Sequence, residues 1–355
     1  MFSKLQTPIG SPPHCSSDDD SSVPGVPPEP IPDELSSLHS LAVLWARKYV
    51  TFVKSRKEAD QAEAQPQNDI ASKSGRDRTA ANLQRQLPLA SAQAWSKTET
   101  LLATELHAHG IDPRLIKPLE IAEDSKQLFM KALDAYADDL APRRLSVIIS
   151  GDTGKMRQKY TSEDPRAIGF VSMQFHYTGQ ILLDSLSEGE RSLFSPYLKV
   201  MDDHMYMPLR ETYMAAANHA LDSPVLAAVQ HLLPVSSQIA YAVCDKICRV
   251  NPNYRSHTGS LRSQAVRVSS IRDVEMFQVY LCLCVLEDSV RSVQRELFPL
   301  CVMLYPPLRV EWKLVQDMLQ ALTWEMADRL SAEDMGILVP YLRLFSDMFS
   351  REVFQ

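Results

Sequence analysis

Apolar residues recur at every third or fourth position along most of this chain, and this spacing limits it to a helical fold. The pattern predicts helices at residues 91–109, 113–136, 193–220 and 225–250, and an apolar helical face formed by Phe170, Met173, Tyr177, Ile181 and Leu182. Gly110 follows the first of these helices, where a left-handed residue commonly ends a helix. The sequence therefore predicts an all-α protein.

The amino-terminal part has a different composition. Residues 1–34 are rich in proline and serine and contain too little apolar surface to offset the entropy of ordering, so a disordered tail is expected. Residues 35–57 are expected to form an amphipathic helix, with one apolar face made of Leu38, Leu41, Trp45, Tyr49 and Phe52. Residues 58–87 are mostly polar and are predicted to be a linker, with ordered structure resuming near Pro88.

The charge of the chain argues against a nucleic-acid partner. Lys and Arg number 37 and Asp and Glu 44, which gives a net charge of −7 and no global positive field. The N-terminus lacks the basic start and apolar run of a signal peptide. Apolar stretches such as residues 276–286 are well short of the roughly 20 residues that span a bilayer. The six cysteines do not form a framework of the secreted type, so a cytoplasmic, reducing location is expected.

Two neighbouring motifs have local interpretations. Leu145 to Ile149 form a short apolar run that fits either a strand or a buried helical turn, and the surrounding helices favour the helix. The next residues, Gly151-Asp152-Thr153-Gly154-Lys155, are similar to a phosphate-binding loop. Their spacing is too short, and Met156 stands where such a loop needs Ser or Thr. We therefore expect a simple turn at this position.

Clusters of polar residues do not predict a metal or catalytic site. Asp202, Asp203 and His204 are consecutive, and adjacent residues on a helix point about 100° apart, so a solvated helix face is expected. Cys244 and Cys248 lie four residues apart, but a metal needs two further ligands, and none is evident. Buried cysteines acting as small apolar side chains are the preferred interpretation. No catalytic arrangement stands out, and we do not expect an enzyme.

The most specific motif follows the helix predicted at residues 225–250. Ser270-Ile271-Arg272-Asp273-Val274-Glu275 leads through an apolar run to Tyr280, and a loop with Gly259 precedes it. This segment resembles the chromophore-binding helix of the phycobilisome protein family, which includes phycocyanin and allophycocyanin. That helix carries Cys-x-Arg-Asp, then Glu and Tyr, so a serine here takes the place of the cysteine. The resemblance extends over about residues 225–330.

The resemblance implies a globin-like, phycobiliprotein-type helical domain at residues 191–355, preceded by a helical extension at residues 88–190. Ser270 implies that no bilin is attached covalently, because a hydroxyl is a much weaker nucleophile than a thiolate. In the family the Asp of Arg-Asp binds pyrrole nitrogens and the Arg binds a propionate. Those roles would fall to Asp273 and Arg272 with a non-covalent bilin. The alternative for these two residues is ordinary ion pairing, each with a partner elsewhere.

The same resemblance implies a non-enzymatic, phycobilisome-related protein of cyanobacterial photosynthesis. It would bind phycobiliproteins or photosystem assembly proteins, and would reach the cytoplasmic face of the thylakoid membrane only through such partners. Because family members pair through their first helices, a homodimer or heterodimer is also implied. The alternatives are a non-covalent tetrapyrrole carrier or sensor, a globin-like helical signalling module without pigment, and a bilin lyase or isomerase.

Overall fold

Helices make up nearly all of the regular structure. The computed structural model describes residues 41–50 and 68–350, and the expected all-α class is confirmed for them. The elements are α1 (residues 41–50), α2 (Asn68–Ala71), α3 (Lys73–Ala108), α4 (Pro118–Ala137), α5 (Pro142–Thr161), α6 (Ile168–Asp184), α7 (Glu188–Tyr206), α8 (Leu209–Ala217), α9 (Pro224–Val250), β1 (Arg255–Ser256), β2 (Gly259–Ser260), α10 (Gln264–Leu286), α11 (Phe298–Leu304), α12 (Trp312–Ala327) and α13 (Ala332–Met348). The tail predicted at residues 1–34 and the linker residues 58–67 lie outside the described residues.

Helix α1 is the central part of the predicted amphipathic helix. Leu41, Trp45 and Tyr49 are at most 1% exposed, so the predicted apolar face is confirmed over these residues. Leu38 and Phe52, which were assigned to the same face, lie outside the described residues. The buried face of α1 belongs to the same hydrophobic core as the other helices. This helix is therefore docked on the body of the protein.

Helix α3 begins earlier than the sequence predicted. Residues 73–87, interpreted as part of a polar linker, form its first turns, and the Ser72 hydroxyl caps them by accepting a hydrogen bond from the Gly75 amide at 3.0 Å. Leu83 and Leu87 are buried, although the residues around them are polar. The linker prediction failed over these residues because a helix on the edge of a core needs only a narrow apolar stripe.

Helix α5 runs through the motif that was expected to be a turn. Its apolar start is helical as favoured, but Gly151 to Lys155 are helical as well, so the predicted turn is wrong. The Thr153 hydroxyl donates a hydrogen bond to the Ile149 carbonyl at 2.8 Å. Arg210 of α8 crosses the helix here, and a Cβ on Gly154 would lie 2.1 Å from its Cδ. The glycine therefore permits close packing of two helices.

Replacing each of the two glycines of this motif by alanine is expected to change the free energy of unfolding in opposite directions. Gly154→Ala is expected to lower the free energy of unfolding by about 1–3 kcal/mol, because the new methyl group overlaps Arg210. Gly151→Ala is the matched control: its Cβ would meet only the Arg210 Nη1 at 3.7 Å. That variant should gain about 0.5–1 kcal/mol from the lost flexibility of glycine in a helix. Urea unfolding measures both, and shifts of the same sign would contradict this account.

The helices pack into one continuous core. Helix α3 packs along α6 and α4, and α5 packs along α7. Helix α9 packs along α10, α12 and α13. Because α10 also contacts α7 and α8, it joins these two groups of helices. Helices from the predicted extension and from the predicted carboxy-terminal domain therefore share a core.

Helix α10 lies at the centre of this arrangement. All residues from Val274 to Leu286 are buried, as expected for a helix that is largely apolar around its circumference. A short hairpin leads into it, in which Arg255 pairs with Ser260 and Ser256 with Gly259. Gly259 has a φ of 145°, a conformation that favours glycine. Among the described helices, including α10, none combines the length and the apolar character needed to cross a membrane.

Candidate functional site

Four charged side chains from three helices meet inside the core. We call Lys48, Lys199, Asp203 and Glu275 the buried charge cluster. Lys48 Nζ lies 3.3 Å from Asp203 Oδ2 and 3.0 Å from Glu275 Oε2. Lys199 Nζ lies 3.1 Å from Asp203 Oδ2 and 3.0 Å from Glu275 Oε2. Each cation therefore contacts both carboxylates, and the net charge of the cluster is zero.

Two helices of the body hold the cluster members that face α1, and a third helix supports one of them. Lys199 and Asp203 are four residues apart and so lie on one face of α7. A capping box at Ser187 and Glu190 begins that helix and fixes its first turn. Helix α10 brings Glu275, whose Oε1 accepts a hydrogen bond from the Ser237 hydroxyl of α9 at 2.6 Å. Each of the two carboxylates thus has at least one contact within the body that does not involve α1.

Helix α1 contributes the remaining cation and an aromatic hydrogen-bond chain. Trp45 Nε1 donates to the Tyr49 hydroxyl at 3.0 Å, and that hydroxyl donates to Asp203 Oδ2 at 3.1 Å. Lys48 Nζ lies 3.5 Å from the centre of the Trp45 ring, within the range of a cation–π interaction. The polar contacts of α1 with the body therefore converge on the buried charge cluster.

Burial and charge act against each other in the pKa values of the cluster. Burial raises the pKa of Glu275, but Lys199 and Lys48 outweigh it and lower that pKa to about 2. Burial lowers the pKa of Lys48 in spite of both carboxylates. Burial also opposes the charge of Lys199, but there the carboxylates prevail and raise the pKa. Lys48 is therefore the cation held less firmly in its charged form.

The consecutive polar residues of α7 do not form the solvated face predicted from the sequence. Asp203 is 1% exposed and His204 2% exposed, so the prediction is wrong for both. Helix α7 packs between α5 and α10, and turning by about 100° per residue places two of three consecutive positions on buried sides. His204 Nε2 lies 2.9 Å from the Ser146 hydroxyl, and burial lowers the pKa of His204 to about 3. Asp202 alone is partly exposed.

Arg272 and Asp273, the predicted bilin-binding residues, lie in a second ionic group. Arg272 Nη2 donates to Asp273 Oδ1 at 3.1 Å, and its Nη1 lies 3.9 Å from Asp202 Oδ2. The expectation of a partner elsewhere holds for Arg272, which reaches Asp202 of α7, but it is wrong for Asp273, whose ion-pair partner is the neighbouring Arg272. The guanidinium also stacks at 3.6 Å over the Tyr206 ring. Asp202 in turn lies 3.3 Å from His176 Nδ1.

One atom of this second group is unsatisfied. Arg272 Nε is buried and has no hydrogen-bond partner among the described residues. Burial raises the pKa of Asp273, while the Arg272 guanidinium opposes the shift. The side chains of Arg272 and Asp273 are 11% and 28% exposed. Binding of a bilin by these residues stays a prediction.

The thiols near the predicted chromophore position are buried. Cys282, Cys284 and Cys301 are at most 1% exposed and are not in disulfides, so the expected role of buried cysteines as small apolar side chains is confirmed for them. Burial raises the pKa of the Cys282 thiol to about 12 and that of Cys284 to about 11. Ser270 is half-buried on α10. Within residues 41–50 and 68–350, no group of three or more His, Cys, Asp or Glu residues could hold a metal ion.

A third buried polar group contains Tyr280, the last residue of the phycobiliprotein-like motif. Its hydroxyl donates to Glu296 Oε1 at 2.6 Å and accepts from Arg157 Nη2 at 3.3 Å. Arg157 also pairs with Glu296 and donates to the Met205 carbonyl. Glu296 lies in a single π-helical turn, Val293–Leu297. No local pattern in the sequence points to Arg157, because its partners are distant in the chain.

A groove lies on the surface between α12 and α13. Its volume is about 590 Å³, and its lining includes Leu319, Trp324, Leu342, Arg343 and Asp347. Trp324 is 65% exposed. A second opening of about 400 Å³ is lined by residues 251–255 and Glu311. Neither opening is lined by the buried charge cluster or by the second ionic group.

No known protein family, curated protein or solved structure matches the chain. The described fold and site define an all-α protein in which an amino-terminal helix docks through a buried charge cluster.

Three members of the buried charge cluster can be recognised from their spacing in the sequence. Lys48 lies on the same helical face as Trp45 and Tyr49, and a lysine within an apolar stripe indicates a buried partner. Lys199 and Asp203 have the spacing of a helical ion pair. Neither pattern identifies Glu275 as the shared partner, because that pairing depends on how distant helices pack.

Proposed function

We propose that this protein is a non-enzymatic binding protein of the cyanobacterial photosynthetic apparatus. It associates with phycobiliproteins or photosystem assembly proteins and carries no covalently attached bilin. The observation that carries the binding function is the groove between α12 and α13, where Trp324 is 65% exposed beside Arg343 and Asp347. An exposed tryptophan with a polar rim is typical of protein interfaces. The photosynthetic setting rests on the motif from Ser270 to Tyr280.

The order of elements is compatible with this setting. Helix α9, the hairpin loop and α10 follow one another as in the family that the motif resembles, and α10 packs along α9. We propose a globin-like arrangement for this region. Ser270 supplies no thiol, and the raised pKa values of Cys282 and Cys284 make those thiols poor nucleophiles. These features support a protein that binds partners without a covalent pigment.

The binding proposal predicts a specific loss. Trp324→Ser should reduce co-purification with phycobiliproteins from mild cyanobacterial extracts by about 30-fold, the effect of removing an interface hot spot of about 2 kcal/mol. Leu119→Ser is the matched control, because Leu119 is also an apolar helical residue and is 87% exposed. It should leave the yield unchanged. If the wild-type protein co-purifies with neither phycobiliproteins nor photosystem assembly proteins, the proposal fails.

A second candidate function is a non-covalent tetrapyrrole carrier. The unpartnered Arg272 Nε favours it, since a guanidinium with a free donor suits a propionate carboxylate. Protein purified from a phycobilin-producing host would then show a visible absorption band that disappears on denaturation. Asp273→Ala should abolish the band, whereas the exposed control Asp222→Ala should keep it. A band that survives denaturation would mean covalent attachment, and the absence of any band would leave the pigment-free binding protein.

A further inference from the structure

We propose that the site occupied by α1 also accepts α1 of a second copy, so that two chains exchange this helix. We call the body side of this contact the α1 site, formed by Lys199, Asp203, Ser237 and Glu275. The proposal goes beyond association with photosynthetic partners and does not depend on it. The occupant is a second copy because α1 is the helix whose fit to the site the structure displays.

The negative charge of the α1 site favours binding of a helix that carries a positive charge. Without α1, Lys199 faces two carboxylates, and the site carries a net charge of −1. The Asp203 and Glu275 side chains are 1% exposed in the docked state. Lys48 brings the site to neutrality. Because opposite charges attract, the site favours occupation by a helix with a cation at this position.

The aromatic residues of α1 add selectivity to this charge pairing. Tyr49 supplies a hydroxyl donor to Asp203, while Trp45 bonds that hydroxyl and covers the Lys48 ammonium. Three residues of one helical face therefore contact one another and the carboxylates. A helix in this site needs an aromatic residue, a lysine three residues later and a tyrosine next to it. Another copy of this chain presents the same pattern.

The covalent connection does not dictate which copy supplies α1. Residues 51–67 join α1 to α2, and 17 residues reach at most about 60 Å at full extension. An exchanged pair would keep every contact of α1 and form a closed, twofold-symmetric dimer. Docking within one chain is favoured in dilute solution, because the tether gives α1 a high effective concentration. The exchanged dimer is therefore expected at high protein concentration.

A charge-swap experiment with full-length chains tests the exchange. In the Lys48→Glu variant the helix and its own site repel, since a new carboxylate faces a site of charge −1. In the Asp203→Asn/Glu275→Gln variant the site carries only the Lys199 charge and repels its own Lys48. In a mixed dimer, the wild-type helix of the second variant meets the wild-type site of the first. The new carboxylate at position 48 then meets Lys199 of the neutralised site, so both contacts return to zero net charge.

Each variant alone is expected to sediment as a monomer, and an equimolar mixture as a 1:1 species of twice the mass. A mixture that sediments only as monomers overturns the proposal. Circular dichroism checks that both variants fold. If either does not fold, two differently tagged wild-type chains incubated together at high concentration decide the question. They should co-purify, and the yield should rise with the concentration at which they are incubated. Tagged wild-type chains that never co-purify overturn the exchange, whatever the result with phycobiliproteins.

Discussion

Replacing Glu275 by glutamine is expected to lower the free energy of unfolding by about 3–5 kcal/mol, the cost of removing one partner from a buried ion pair. Lys48 and Lys199 would then share one carboxylate, Asp203, and the buried charge cluster would carry a net positive charge. The Ser237 hydroxyl would keep an oxygen to donate to, so the loss reflects charge more than hydrogen bonding. Urea unfolding monitored by circular dichroism measures the effect.

Two further variants make this measurement decisive. Glu99→Gln, on an exposed position of α3, removes the same charge and should change stability by less than about 0.5 kcal/mol. Lys48→Met combined with Glu275→Gln restores a neutral cluster and should cost less than the sum of the single changes. If Glu275→Gln costs no more than Glu99→Gln, the charge cluster does not stabilise the fold.

Acid should destabilise the protein from about pH 6.5 downward because of His204. Burial lowers its pKa to about 3, so the unfolded chain takes up a proton in this range and the folded chain does not. The stability present above pH 6.5 is therefore lost as the pH falls towards 3, by on the order of 5 kcal/mol for the full shift. His204→Gln should flatten the pH dependence between 6.5 and 4.5.

The acid response of Glu275 begins at a lower pH than that of His204. Its pKa is lowered to about 2, so its share of the stability is present above the ordinary value of 4.5 and is lost only below it. Unfolding measurements at pH 7 and 5 report His204, and measurements at pH 5 and 3 on the His204→Gln variant report Glu275. A wild-type protein and a His204→Gln variant with the same slope between pH 6.5 and 4.5 would contradict the role of His204.

Helical periodicity predicted the class of the fold and the buried face of α1. It failed where burial depends on distant partners. Gly151 to Gly154 look like a turn in isolation, but Arg210 packs against them and makes the close helix contact useful. The first turns of α3 resemble a linker in sequence. Between residues 73 and 87, Leu83 and Leu87 are the only large apolar residues.

The candidate site was less predictable than the fold. The sequence predicts a solvated position for Asp203, because no local pattern reveals that α1 and α10 cover it. Arg157 was missed, since its partner Glu296 lies 139 residues away. Arg272 and Asp273 were identified by resemblance alone, and their geometry is that of paired charges. The composition of such sites depends on contacts between distant segments, and these contacts follow from how the helices pack.

The docking of α1 also sets an order of events during synthesis. Helix α1 leaves the ribosome early, but Glu275, which completes its site, is made more than 200 residues later. Tyr49 and Lys48 therefore lack their partners Asp203 and Glu275 until α7 and α10 are made. Helix α1 is thus among the last of the described helices to be seated, and the nascent protein passes through a stage in which Trp45 and Tyr49 are open to other binders.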